Sequence, residues 1–160
     1  MKLSPFERMT LANQFRILEK LDPDGGHYAQ SAGILECGYE GLYPKIFEYQ
    51  YEPTSKAVSD EVYEIFDMFR ALDRAYEKGI SKPPGHCPEF SGFDANNDKH
   101  HSVAVFILKD LNLYEELHKH PTNSHSQTEL HCYRRMLGVW NSMGKPYQLK
   151  EDQVKAIVAG

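Results

Sequence analysis

A helical pattern of apolar residues near the C-terminus constrains the fold of this chain more than any other feature. Large apolar residues recur there at steps of three and four, a spacing that places them on one face of a helix: Leu130, Tyr133, Leu137 and Trp140, with Met136 and Met143 beside them. A face this broad requires neighbours on more than one side. We therefore expect a helix over residues 127–143 near the middle of a helical domain.

Signals at both ends define the limits of this helix. Ser126 followed by Glu129 is the pattern of a capping box, and Gly144 followed by Pro146 is a stop signal. Tyr133 and Trp140 should fill the core while the hydroxyl and the indole N–H find hydrogen-bond acceptors.

The same reasoning predicts further helices, and hence an all-α, irregular multihelical fold of about six helices. The other five are expected at residues 5–21, at about 27–37, from between 55 and 59 to 78, from 94 or 97 to about 117, and after 150. The start of the first is marked most clearly, because Ser4 and Glu7 form a capping box around Pro5.

One segment near residues 46–51 does not follow the helical pattern. Phe47, Tyr49 and Tyr51 alternate with polar residues, which is the period of a half-buried strand. No neighbouring segment offers a convincing partner strand. Either one short strand or an irregular aromatic segment packed on helices fits the pattern.

Length and charge limit the classes of protein to consider. A chain of 160 residues predicts a single domain over 1–160. Its net charge of -5 disfavours a general binder of nucleic acid, whose affinity depends on neutralising phosphates. With no recognisable signal peptide and no apolar run of membrane-spanning length, we expect a cytoplasmic protein without a membrane partner.

Histidines are concentrated between residues 86 and 131, which raises the question of a metal site. The spacing does not match known metal motifs, because no HExxH and no histidine pair at i and i+4 is present. His86-Cys87 and His131-Cys132 are the two pairs that only a tertiary fold could bring together. We predict no metal and no cofactor.

Two loops rich in short polar side chains are the candidate ligand sites. Asp94 and Asn97 precede one predicted helix, and Asn123 and His125 precede the next. Helix N-termini present free N–H groups that favour anions, so these residues could form a small ligand-binding or hydrolytic site. The alternative is that they only cap their own helices.

Arg134 and Arg135 are the only adjacent arginines. Such a pair usually faces solvent or binds a carboxylate of a neighbouring helix, and that is the interpretation we favour. The alternatives are an acidic partner, a phosphate group and, as the weakest, nucleic-acid binding through Arg134 and Arg135.

Several segments, in this order, resemble the YfbU family of bacterial proteins over almost the whole chain. They are Leu11-Ala12-Asn13-Gln14-Phe15, Leu21-Asp22-Pro23, Ile34-Leu35-Glu36-Cys37-Gly38-Tyr39, Gly92-Phe93-Asp94, Tyr133 to Trp140, and Tyr147 with Leu149. The resemblance implies a multihelical, bacterial, cytoplasmic protein of uncharacterised biochemical function. The family has no agreed catalytic residues, so none is transferred to this chain.

The absence of a catalytic motif and the richness in aromatic residues together favour an interaction protein over an enzyme. Ten tyrosines and eight phenylalanines are many for one modest domain, and aromatic side chains beyond the needs of a core tend to form interfaces. We expect a non-enzymatic regulatory or interaction protein that forms a homo-oligomer, with another protein as a further candidate partner.

Overall fold

The computed structural model describes residues 2–47 and 53–160. The chain divides into two compact units, Met1–Glu52 and Pro53–Gly160. Each unit has a hydrophobic core of its own. The single domain expected from the chain length stays a prediction.

Within the described residues the chain forms seven α-helices and no β-strand, which confirms the all-α multihelical prediction. The helices are α1 (Pro5–Leu21), α2 (Tyr28–Cys37), α3 (Tyr43–Ile46), α4 (Lys56–Glu77), α5 (Lys99–Val105), α6 (Thr128–Ser142) and α7 (Glu151–Ala159). Short 3-10 turns cover Glu40–Leu42 and Glu115–Leu117, and a π-helical turn covers Phe106–Asp110. In the segment considered as a strand, Ile46 ends α3, whereas residues 48–51 lie outside the described part.

The first unit is built on the packing of α1 against α2. The predicted capping box starts α1: Glu7 N donates to Ser4 Oγ (3.3 Å), and Ser4 N donates to the Glu7 carboxylate (2.8 Å). Its small core consists of Ala12, Leu35 and Tyr43, with six partly buried apolar side chains around them. Arg16 joins the two helices by donating to both carboxylate oxygens of Glu36, at 3.0 and 2.8 Å.

The second unit is organised around α4, whose buried face extends from Val62 to Ala75. The side chains of that face are Val62, Ile65, Phe66, Met68, Phe69, Ala71, Leu72 and Ala75. The predicted face of α6 is buried in the same core, and α7 adds Val154, Ile157 and Val158. Trp140 finds the expected acceptor, since its Nε1 donates to Pro146 O at 3.1 Å.

Five aromatic rings form the centre of this second core: Phe66, Phe69, Phe90, Phe93 and Tyr133. Adjacent rings meet mostly edge to face, for example Phe69 and Tyr133 with centroids 5.0 Å apart, which is the arrangement that aromatic quadrupoles prefer. Phe90 and Phe93 come from the loop before α5, so the core itself holds that loop against α4 and α6.

The helix predicted from residue 94 or 97 to about 117 is wrong at both ends. It begins at Lys99, after the N-cap residue Asp98, and its helical turns stop at Asp110. Asn112 and Tyr114 then take left-handed backbone angles, φ 51° and 56°. Tertiary contacts account for this end, because the Tyr114 ring packs on Phe66 and its hydroxyl donates to Asp67 Oδ1 (2.8 Å) on α4.

The capping box predicted for α6 is also wrong. The helix starts at Thr128 with Gln127 as N-cap, and Thr128 N donates to Ser126 Oγ at 3.3 Å. Glu129 does not return to a backbone N–H as a capping glutamate would. Its side chain is buried and binds Cys87 and Ser91 instead.

Candidate functional site

The two polar loops singled out from the sequence meet in the structure. Phe93 N donates to Thr122 O (3.0 Å), and Ser124 N donates to Phe93 O (3.1 Å), so the loops form an isolated parallel bridge between Phe93 and Asn123. Gly92 makes this approach feasible, because a Cβ at that position would lie 2.4 Å from the carbonyl carbon of Thr122.

Asp94 and Asn97 lie in a turn that precedes α5, not at its N-terminus. The Asp94 carboxylate accepts from Asn96 N (2.9 Å) and from Asn97 Nδ2 (2.7 Å). These hydrogen bonds hold the pKa of Asp94 below its ordinary value, the bond from Asn97 first. The carboxylate oxygens are thus occupied by the turn that they stabilise, as in an Asx turn.

Asn123 and His125 also make hydrogen bonds within the two loops. Asn123 Oδ1 accepts from Ala95 N (3.2 Å) and from His125 N (3.0 Å), and its Nδ2 lies 3.3 Å from His125 Nδ1. The structure therefore brings the predicted residues of both loops together, with Asn123 as the link. The polar atoms of these residues form hydrogen bonds within the two loops. Ligand binding at this place stays a prediction.

Arg134 lies beside a carboxylate of a neighbouring helix, which is the interpretation that we favoured from the sequence. Its Nε and Nη2 donate to the two carboxylate oxygens of Glu61 on α4, at 2.7 and 2.9 Å. His100 Nε2 lies 2.7 Å from Glu61 Oε2. Mainly because of Arg134, the pKa of Glu61 lies below its ordinary value.

Arg135 points to the C-terminal end of the chain, where its Nε donates to Gly160 O at 2.7 Å. Both adjacent arginines thus make hydrogen bonds within the second unit. Binding of a phosphate or a nucleic acid by Arg134 and Arg135 stays a prediction.

We did not predict from the sequence the buried polar network that lies between α6 and the loop at residues 81–92. Glu129 lies at its centre, only 9% exposed. Its Oε2 accepts from Cys87 Sγ (2.9 Å) and from Ser91 Oγ (3.1 Å). Its Oε1 lies 3.3 Å from Nε2 of His86, whose side chain is largely exposed.

Tyr133 extends this network into the aromatic core. Its hydroxyl accepts from Ser91 N (2.9 Å), donates to Gly92 O (3.0 Å) and lies 2.9 Å from Ser91 Oγ. Burial, first of all, raises the pKa of this hydroxyl above its ordinary value. The network therefore attaches the loop to α6 through one tyrosine and one glutamate.

Cys87 is a buried thiol, and burial is the main cause that raises its pKa well above the ordinary value. The neighbouring Cys132 thiol and the Glu129 carboxylate act in the same direction. A thiol with a raised pKa is protonated at neutral pH and is a poor nucleophile.

A signal for this network was present in the sequence. Glu129, Cys132 and Tyr133 are three and four residues apart, so they share one face of α6. A charged residue on an otherwise apolar face indicates a buried polar partner. We interpreted Glu129 as part of a capping box with Ser126 and therefore did not predict its buried partners.

An exposed apolar stripe runs along α1. Its side chains are Phe6 (71% exposed), Met9 (56%), Ile17 (58%) and Leu21 (76%). The opposite side of the helix supplies Ala12, Leu11 and Phe15 to the core with α2. Helix α1 is therefore apolar on two sides, and within residues 2–47 and 53–160 only the side with Ala12 is covered.

Comparison with known proteins gives the same result over the whole length of the chain. The family model of the YfbU domain matches residues 1–160. The chain belongs to the YfbU family. The resemblance inferred from the sequence segments is thereby confirmed.

Three relatives of this YfbU chain are UPF0304 proteins, a name that describes no activity. That of Methanocaldococcus jannaschii is 28% identical, with 98% of each chain covered. Those of Mannheimia succiniciproducens and Actinobacillus succinogenes are 28% and 26% identical, with 99% of each chain covered. The relatives are thus similar to this chain along almost their whole length, and they belong to an uncharacterised family.

In the part of this YfbU chain that the structure describes, no helix is both long enough and apolar enough to cross a membrane.

Proposed function

We propose that this chain is a non-enzymatic interaction protein that assembles with a second copy of itself through the exposed stripe of α1. The observation that carries the proposal is the exposure of four large apolar side chains on one side of a 17-residue helix. Contiguous exposed apolar surface marks interaction sites in soluble proteins.

Helical geometry shows that these side chains form one surface. At about 100° per residue, Phe6 and Ile17 lie within about 20° of each other, and Met9 and Leu21 lie about 60° from Phe6 on either side. The polar Asn13 lies between Met9 and Phe6. A surface helix of a folded unit normally has a single apolar face. Because the face with Ala12 is already packed, the second stripe requires another partner.

A second copy fits this stripe in an antiparallel orientation. Such a pairing, centred between Asn13 and Gln14, places Phe6 at the level of Leu21 of the other copy, so the patch is complementary to itself, as a two-fold interface requires.

The charges near the stripe support the same orientation. Glu7 lies in the first turn of α1 and Lys20 in the last turn. Antiparallel pairing brings the Glu7 end of one copy to the Lys20 end of the other, twice by symmetry. The two helix dipoles are then also opposed, which is the favourable arrangement.

The non-enzymatic part of the proposal is supported by the two polar loops. The carboxylate of Asp94 and the amide oxygen of Asn123 accept hydrogen bonds from within those loops, which accounts for these residues as structural elements. We propose in addition that the protein is bacterial and cytoplasmic, as the family resemblance implies.

The test is the molar mass in solution, measured by light scattering over a range of concentrations up to tens of micromolar. We expect the unchanged chain to form dimers, and the double variant Ile17→Glu with Leu21→Glu to be monomeric. Glutamate is a better helix former than isoleucine, so α1 itself should persist. Phe106→Glu, at a comparably exposed apolar residue (54%) of the second unit, is the matched control and should remain dimeric.

A monomer at every concentration would refute the self-assembly. A dimer that persists in the α1 double variant but is lost with Phe106→Glu would place the interface elsewhere and refute the role of α1.

A further inference from the structure

His86, Cys87 and Glu129 bring three different metal-binding groups to one place. One imidazole nitrogen, one thiol sulfur and one carboxylate oxygen all lie within 4.8 Å of one another. Two of the groups come from the loop at residues 81–92, and the third comes from the first turn of α6. The aromatic core holds both elements, since Phe90 packs on Tyr133.

We propose that His86, Cys87 and Glu129 bind a divalent transition-metal ion, with Zn²⁺ as the best match. Imidazole, thiolate and carboxylate are the three ligand types that zinc uses in proteins. Hard cations such as Mg²⁺ and Ca²⁺ select oxygen ligands and do not fit this set.

Of the two distances that join these groups, one has the value expected for a tetrahedral ion and the other is shorter. Metal–ligand bonds of about 2.0–2.3 Å put neighbouring ligand atoms of a tetrahedron roughly 3.3–3.8 Å apart. Here Cys87 Sγ lies 2.9 Å from Glu129 Oε2, and His86 Nε2 lies 3.3 Å from Glu129 Oε1. The 2.9 Å distance is that of a hydrogen bond, so an ion that replaces the proton would have to move Cys87 Sγ and Glu129 Oε2 apart by roughly 0.4–0.9 Å.

The ion would lie between Cys87 Sγ and the Glu129 carboxylate, where the hydrogen-bonded proton lies now. Metal binding breaks the S–H bond of Cys87, forms a bond from the thiolate to the ion, and releases one proton to solvent. The ion then neutralises a thiolate and a carboxylate that would otherwise repel each other at a buried position.

The proposed metal site is open to solvent at His86, and a hydrogen bond orients its carboxylate ligand. The His86 side chain is 60% exposed, which opens a path from solvent, whereas that of Glu129 is 11% exposed. Ser91 Oγ donates to the Glu129 carboxylate at 3.1 Å and fixes its orientation. Hydrogen bonds of this kind to a ligand commonly tune metal affinity.

The test uses Co²⁺ as a spectroscopic probe on the full chain, after treatment with a chelator and under reducing conditions. We expect one Co²⁺ per chain, a thiolate-to-cobalt charge-transfer band in the near ultraviolet, and displacement of the band by Zn²⁺. Cys87→Ser should abolish the band. His86→Gln should weaken Co²⁺ binding by at least about 10-fold, and its exposed position should leave the fold intact.

The matched control is Cys37→Ser, which removes an exposed free thiol outside the cluster and should leave the band unchanged. The proposal is overturned if the unchanged chain gives no charge-transfer band. It is also overturned if the band survives Cys87→Ser or if His86→Gln binds Co²⁺ as tightly as the unchanged chain.

Discussion

Gly92 shows how a single residue permits the crossing of two loops. Its φ of 89° is strained for any residue with a side chain, and a Cβ there would lie 2.4 Å from the carbonyl carbon of Thr122 and 2.6 Å from Asn123 N. Both obstacles are backbone atoms, so no side chain can rotate away to make room. The tight approach of the two loops therefore depends on the absence of a side chain at this position.

We expect Gly92→Ala to lower the free energy of unfolding by about 2 kcal/mol or more, because the strain and the backbone clash act together. Urea-induced unfolding measures the change. Gly138→Ala is the control: Gly138 is an exposed residue inside α6 with no atom within 4 Å of the added Cβ. There alanine should stabilise the chain by about 0.5–1 kcal/mol. Equal effects at both positions would contradict this account.

At the scale of elements, the loop at residues 81–92 behaves as part of the core. Phe90 packs among the aromatic rings, and the backbone at Ser91 and Gly92 is hydrogen-bonded to Tyr133 of α6. Glu129, one turn earlier on the same helix, binds Cys87 and Ser91. The loop is thus held at three successive points, which positions His86 and Cys87 next to Glu129.

Removal of one hydroxyl should loosen this attachment. We expect Tyr133→Phe to destabilise the chain by about 1–3 kcal/mol, since Ser91 N and Gly92 O lose a buried partner. Hydrogen exchange at the Ser91 amide should become faster as well. Tyr147→Phe is the control, with an effect within about 0.5 kcal/mol, because the Tyr147 side chain is half exposed. Unchanged exchange at Ser91 would argue against the attachment.

Some elements could be predicted from the sequence, and others could not. The start of α1 follows from Ser4, Pro5 and Glu7, because capping is a local interaction within a few residues. The end of the helix that contains Phe106 could not be found in this way. It depends on Tyr114 packing on Phe66 and binding Asp67, residues more than forty positions earlier.

At the scale of the whole molecule, the two compact units differ in how much they bury. Among the described residues, the hydrophobic cluster of the first unit has three buried members, Ala12, Leu35 and Tyr43, whereas that of the second has twenty-five. Small units bury a smaller fraction of their surface and are correspondingly marginal. The second unit should therefore contribute most of the stability.

We expect a fragment of residues 53–160 to unfold cooperatively on heating, and a fragment of residues 1–52 to be mostly unfolded on its own. Circular dichroism of the two fragments, with the full chain as the reference, measures both. If residues 53–160 do not fold alone, the chain is one cooperative domain over 1–160, as its length predicts.

The sequence by itself determined the helical class, the family and the buried face of α6. These follow from periodicity and from short-range signals, which act between residues close together in the chain. Only the tertiary structure decided the role of Glu129 and the meeting of His86 and Cys87 with it. Residues some forty positions apart become neighbours through the packing of the aromatic core, and a local pattern such as a capping box contains no information about such neighbours.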